Sequence, residues 1–230
     1  MVSQVGTGNH GPRRPRNRRG EGSRLREELI EAALRLLRTA DRESEVSIRA
    51  VTRAAGAAPQ SFYLQFSSLD ELLYAVYEIE YEGLRQAMAD AASQAGEPRA
   101  RLRAVCQAYC RYAQEQPGRY RALTSVHGQA HHDGWKDRPL PGAPAFAVIL
   151  DTVAAALSAA GSKAEPFPAA ATLWASLHGL VTLRASRPAF PWPAVDDMIA
   201  SLVEQVLHAP ALHAQPAQPA QPGATGPVAR

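Results

Sequence analysis

Apolar residues return at three- and four-residue intervals almost throughout this chain, and no segment alternates apolar with polar long enough to make a strand. That period predicts an all-α fold. The pattern breaks most sharply at "SIRAVTRAAGAAPQSFYLQF", residues 47–66. Ile48, Val51 and Ala55 share a helical face, Gly56 stops the helix, and Pro59 restarts it for barely two turns. The second piece holds three aromatics, Phe62, Tyr63 and Phe66. Two short helices joined by a tight glycine turn make a helix-turn-helix, a form whose second helix enters the DNA major groove. Phe62 and Phe66, four apart, are expected to anchor that helix; a buried Phe contributes roughly 1.5–3 kcal/mol. Gln60, Ser61, Tyr63 and Gln65 are expected to face outward, beside Arg49 and Arg53 on the preceding helix.

The charge distribution agrees with a polyanionic partner. Residues 1–66 hold twelve Arg and seven acids, a net +5, against −2 for the remainder. Five of those Arg lie between positions 13 and 19. Residues 1–22 read as a disordered basic tail, and the start carries no apolar signal-peptide block. With no run of eighteen apolar residues and only two cysteines, Cys106 and Cys110, the expected setting is cytoplasmic, with no membrane contact.

The remaining helices can be placed by their stops and starts. Leu25, Leu29, Ala33, Leu36 and Ala40 form a first amphipathic helix. Ser67 or Ser68 caps a long fourth helix running through Leu72, Leu73, Val76, Leu84, Ala87 and Met88 to about Ser93, with Asp70 and Glu71 in its first turn. Pro98 and Pro117 open the fifth and sixth, the latter to about His127. Three more span about 143–160, 166–185 and 193–208. Residues 210–230, with three tandem Ala-Gln-Pro triplets, read as a second disordered tail.

With the helix-turn-helix in place, residues 24–73 resemble the DNA-binding domain of the TetR family of transcriptional regulators. The resemblance rests on "SIRAVTRAAG" followed by "SFYLQFSSLDELL". It implies that Tyr63 and Phe66 match the family's Tyr-x-x-Phe of the recognition helix, and that Ser47 matches a hydroxyl residue touching a phosphate. The chain departs at Ala58-Pro59, where the family usually has a serine, and at Leu69, where it usually has a lysine. Those losses shift expected backbone contacts toward Arg24, Arg26 and the arginine tail. The implied organisation is a helix-turn-helix domain at 23–68 and a ligand-binding and dimerisation domain at 69–209.

The C-terminal half is similar to a TetR subgroup marked by Trp174, His178 and Gly179. This implies a helical domain that dimerises and holds a small apolar effector. On residues alone, Ala171, Ala175 and Gly179 recur every four positions and make a smooth stripe, while Met198, Leu202 and Val206 offer a second apolar face. Two such helices from each subunit would form a four-helix interface in a homodimer. Tyr109, Cys110, Tyr112, Trp174, Leu177 and His178 are the candidate effector lining, being amphipathic and nearly uncharged. No catalytic residue, metal site or cofactor is expected. "GTGNHG" satisfies a dinucleotide-binding spacing without a strand before it or a helix after it. Cys106 and Cys110 read as small apolar packing, and His127, His131, His132 and Asp133 as a solvated loop. The expected function is a homodimeric repressor that binds a palindromic operator and is released by a small molecule. The alternatives are a DNA-binding dimer without a ligand and, from another class, a helical carrier or enzyme for an apolar molecule.

Overall fold

The computed structural model describes residues 21–39, 46–124, 135 and 137–208. Among these residues the fold is nine α-helices and no strand: α1 (Glu21–Thr39), α2 (Ile48–Ala54), α3 (Pro59–Phe62), α4 (Leu69–Gln94), α5 (Pro98–Glu115), α6 (Pro117–Thr124), α7 (Ala143–Ala159), α8 (Pro166–Ser186) and α9 (Val195–Leu207). The all-α expectation holds. The tails, the histidine loop and Ala40 lie outside the described residues.

Helix ends follow local chemistry. Ser47 caps α2, its hydroxyl accepting the Ala50 N–H at 3.2 Å. At the far end Gly56 adopts φ +63°, a left-handed conformation that a side chain disfavours. Its N–H donates to the Arg53 carbonyl and that of Ala57 to the Thr52 carbonyl, which is the Schellman closure. The same device closes α7, where Gly161 has φ +65° and Ser162 N–H reaches the Leu157 carbonyl. Proline opens α3, α5, α6 and α8, where a missing N–H leaves no helical bond unmade. Helix α9 starts at Val195, two residues beyond the expected Pro193, with Ala194 as its cap residue.

The chain divides into two compact units, one from Met1–Leu84 with Tyr112–Pro144, the other from Arg85–Arg111 with the chain from Ala145 onward. In the first unit α1 contacts both α2 and α6, and α2 contacts α3. Leu25, Leu29, Ala33 and Leu37 of α1, Val51, Phe62, Phe66, Leu72, Leu73 and Val76 are all buried. Leu37 fills the last core position of α1, and Leu36 is only half-buried. This unit also buries a charge. Glu80 is fully enclosed, its carboxylate held by Arg38 of α1 at 2.6 Å and by Arg119 of α6 at 3.0 Å. The Tyr112 hydroxyl points at the Glu80 carbonyl, 3.4 Å away. Three helices are thereby tied through one carboxylate.

The second unit has an apolar core built from Leu102, Val105, Cys106 and Tyr109 of α5, Ile149, Val153, Ala156 and Leu157 of α7, Leu173 and Leu177 of α8, and Ile199 and Val203 of α9. Its polar ties lie toward solvent. Arg99 pairs with Glu204, Gln107 donates to Asp196 at 2.6 Å, and Arg184 reaches the Pro193 carbonyl at 2.8 Å across the α8–α9 connection.

Candidate nucleic-acid interface and helical C-terminal domain

The α2–α3 pair is built to present one short element. α3 is a single turn, half the expected length; beyond it Leu64 N–H donates to the Ser61 carbonyl, and the Phe62 carbonyl accepts both Gln65 N–H and Phe66 N–H, a mixture of three- and four-residue bonds. A helix this short is unstable alone, and its anchors explain why it persists. Phe62 and Phe66 are buried, their ring centroids 5.7 Å apart. Tyr63 sits edge-on to Phe62 at 5.5 Å and stands 62% exposed.

The expected DNA-facing residues all remain at least partly in solvent. Arg24, Arg26, Ser47, Arg49, Gln60 and Tyr63 are exposed, and Ser61 and Gln65 are half-buried. Arg24 is engaged by Glu28 at 3.0 Å. Arg26 lies over the Phe66 ring, 5.0 Å from its centroid, which holds a cation beside the recognition turn. The Ser47 hydroxyl accepts its capping bond and can still donate its own hydrogen. Just downstream, Glu71 accepts from the Ser67 hydroxyl and N–H, both at 2.7 Å, while Ser68 receives the Glu71 N–H at 3.2 Å. This reciprocal cap fixes the start of α4 against the end of the recognition turn. The Ser67 hydroxyl bond, then its backbone bond, hold the Glu71 carboxyl below its ordinary pKa.

Sequence reasoning missed Leu64. At 75% exposure it leads the large apolar side chains of the described residues. Its signal was its place between Phe62 and Phe66: two residues from each anchor, it must face away from the core that holds them.

The expected effector lining is dispersed. Tyr109, Cys110 and Leu177 are closed into packing. Tyr112 belongs to the first unit, bonded to the Glu80 carbonyl. Trp174 is 47% exposed and meets Phe146 edge-on at 5.8 Å, so it is a surface residue and not an internal wall. His178 is half-buried, and desolvation lowers its pKa, keeping the ring neutral at pH 7. A cleft of about 180 Å³ does occur in this unit, lined by Ala169, Thr172, Leu173 and Ser176 of α8 with Leu202 and Val206 of α9. None of the expected lining residues borders it.

The stripe on α8 is open. Ala170, Leu173, Leu177 and Leu180 are its buried face, and Ala171, Ala175 and Gly179 run along the side turned away. A methyl group on Gly179 would meet nothing within 4 Å. Phe167, Trp174 and Leu183 stand exposed on the same helix. On α9, Met198 and Leu202 are half-buried. Val206 is a correction: it falls in register with Ile199, Val203 and Leu207 and so belongs to the subunit's own core.

Burial pushes the Cys106 thiol up to about 12 and the Cys110 thiol up to about 11. Both are protonated near neutrality, and a thiol is a poor metal ligand or nucleophile. Among the described residues no group of three or more His, Cys, Asp or Glu is placed to hold a metal, and no helix is long and apolar enough to cross a membrane.

A tight glycine turn, a one-turn helix and the long helical region after them make a TetR-like fold. Residues 102–209 match the family described as tetracyclin repressor-like, C-terminal domain. Solved structures share the fold. A TetR family transcription regulator from Marinobacter aquaeolei VT8 is 22% identical with a TM-score of 0.59, the match covering 80% of this chain and 94% of that one. A protein of unknown function from Rhodococcus sp. RHA1 is 23% identical with a TM-score of 0.65, covering 82% and 96%. The transcriptional regulator FadR from Bacillus subtilis, in complex with stearoyl-CoA, is 11% identical with a TM-score of 0.63, covering 81% and 99%.

Proposed function

We propose that this chain is a transcriptional repressor that binds a two-fold symmetric operator as a homodimer and leaves it when a small apolar molecule binds. The observation carrying the DNA reading is the recognition turn itself: one turn of helix anchored by Phe62 and Phe66, with Tyr63 and Gln60 exposed, Arg26 over the Phe66 ring and Arg49 and Arg53 exposed on the preceding helix. Ser47, Ser61 and Gln65 complete the proposed contact surface, with Arg24 at its edge.

Dimerisation is supported by the open α8 face. Small residues let a second helix approach closely, and Phe167, Trp174 and Leu183 supply the apolar area that such an approach removes from water. Met198 and Leu202 of α9 border that face in the proposed interface. Two copies would set two recognition turns one helical turn of DNA apart.

The effector is proposed from the C-terminal family match and from the acyl-CoA held by the Bacillus subtilis protein. A ligand that releases DNA must bind the released form more tightly than the bound form. The second reading, a DNA-binding dimer without a ligand, is favoured by the fate of the expected effector lining, none of which borders the cleft between α8 and α9.

Tyr63→Ala and Arg49→Ala test the first part: each should weaken operator binding while helicity and sedimentation stay as in wild type. Wild-type binding by both would overturn the groove assignment. A thermal-shift screen with long-chain acyl-CoAs and planar apolar compounds separates the two readings. A compound that stabilises the protein and releases operator supports the first; stabilisation by none supports the second.

A further inference from the structure

A lone exposed leucine is unremarkable, but Tyr63 and Leu64 are adjacent and together carry apolar surface into water on the proposed recognition turn. Leu64 is 75% exposed and Tyr63 62% exposed. Leu64 has no structural task to explain it, since Phe62 and Phe66 on either side already fill the core. Its backbone is fixed by the bond from its N–H to the Ser61 carbonyl at 3.3 Å. The apolar group is therefore presented by a rigid turn and not by a wandering loop.

Its surroundings say what covers it. Gln60, four residues earlier, is exposed on the same outward side, and Arg26, Arg49 and Arg53 are exposed on the neighbouring helices. An apolar protein partner would have to desolvate those guanidiniums. A DNA duplex satisfies them with phosphates and still offers an apolar spot at the groove floor, the 5-methyl group of thymine.

We propose that Leu64 is a base-reading residue, its isobutyl group packing on a thymine methyl in the major groove. This rests on the DNA-binding reading and sharpens it: the operator half-site carries a fixed thymine whose recognition depends on its methyl carbon. Gln60, on the same outward side, is placed to hydrogen-bond a neighbouring base edge, for which adenine is the matching partner of a glutamine amide.

The test starts from wild-type protein and a pool of random duplexes. Failure of any sequence to enrich would overturn the DNA-binding reading itself, before Leu64 is considered. With an enriched palindrome in hand, each conserved thymine is replaced by uracil, which removes one methyl and leaves base pairing intact. Burial of one methyl-sized group corresponds to about fourfold in affinity, so uracil at one position in both half-sites should weaken wild type by about fifteenfold. Leu64→Ala should bind thymine and uracil duplexes equally, and Leu64→Met should retain a preference for thymine. Thermal midpoints of both variants should match wild type, because the side chain is already in water. Three results would overturn the proposal. One is a Leu64→Ala protein that keeps the full thymine preference. Another is an equal loss on every duplex for both bases, which would place Leu64 on the sugar-phosphate backbone. A change in sedimentation of Leu64→Ala without DNA would assign the residue to a second copy instead, and overturn it as well.

Discussion

The recognition turn and α8 both leave large apolar side chains in water, and their settings differ. Tyr63 and Leu64 share their short element with exposed Gln60 and half-buried Gln65, and Arg26, Arg49 and Arg53 are exposed on α1 and α2. Around Trp174 lie alanines, a glycine and aromatic rings, with Phe146 edge-on to both Phe167 and Trp174. The first setting suits a partner that is charged outside and patterned inside. The second suits another helix, because nothing in the stripe needs an ion or a hydrogen-bond donor to be matched. The chemistry of the border, and not the exposed carbon alone, is the ground on which the first is proposed to meet nucleic acid and the second another copy of the chain.

The comparison implies that damage to one face should spare the other. The largest effect is expected from Phe62→Ala, since removing a fully buried Phe costs about 3–5 kcal/mol and α3 has one other anchor. Operator binding should vanish while sedimentation still reports the dimer; retained binding would mean that the recognition turn stands without its anchor. Next comes Gly179→Leu. Overpacking at a close helix approach costs about 1–3 kcal/mol, and the two-fold axis repeats it. Single-chain stability should hold, because the side chain has open space within the subunit, while the dimer dissociates at higher concentration. A fully dimeric variant would move the interface off this stripe.

A smaller effect distinguishes two chemically equal turns. Gly56→Ala and Gly161→Ala each force a side chain into left-handed backbone, at about 1–2 kcal/mol. Their thermal midpoints should fall alike, but only Gly56→Ala should weaken operator binding, as its turn aims the recognition element. Equal binding losses would show that DNA affinity follows general stability.

Smallest of all is a pH effect at the α4 cap. Glu71 has a lowered folded pKa, so its contribution is fully present above the unfolded carboxylate value and is lost as pH falls through the folded one. Glu71→Gln should flatten the acid limb of the stability curve as pH falls below the ordinary glutamate range. An unchanged limb would remove Glu71 from the set of acid-sensitive groups.

Much of this architecture could be read in the residues. Helical period, first-turn prolines and the two positive-φ glycines are local signals, and most of the elements that they specify form where expected; Pro193 does not open α9, which starts at Val195. The recognition turn came out shorter because the bonds after Phe62 mix three- and four-residue spacings, a geometric choice that the apolar period does not encode. Leu64 was missed because a leucine in a helical pattern reads as core. Glu80 escaped for the opposite reason: a carboxylate on a long helix reads as solvent-facing, and its partners lie 42 and 39 positions away. The effector lining went astray where aromatics were counted as a pocket. Tyr109 is consumed by packing and Trp174 by the surface, and composition alone does not tell those fates apart.

The buried carboxylate also constrains how such a sequence can change over generations. Replace Glu80 alone and two guanidiniums on two other helices lose their counter-ion. Replace Arg38 or Arg119 alone and an enclosed negative charge keeps half its support. Removing one partner of a buried pair costs up to about 3–5 kcal/mol, less on the side of Arg38 and Arg119, which are 34% and 31% exposed, whereas a well-packed apolar set of the same volume is often neutral or better. The stable alternatives are thus separated from the present sequence by intermediates that each fold worse than either end. Three codons far apart in the gene are bound to one another's history, and relatives that lack this cluster are expected to have lost all three of its members together.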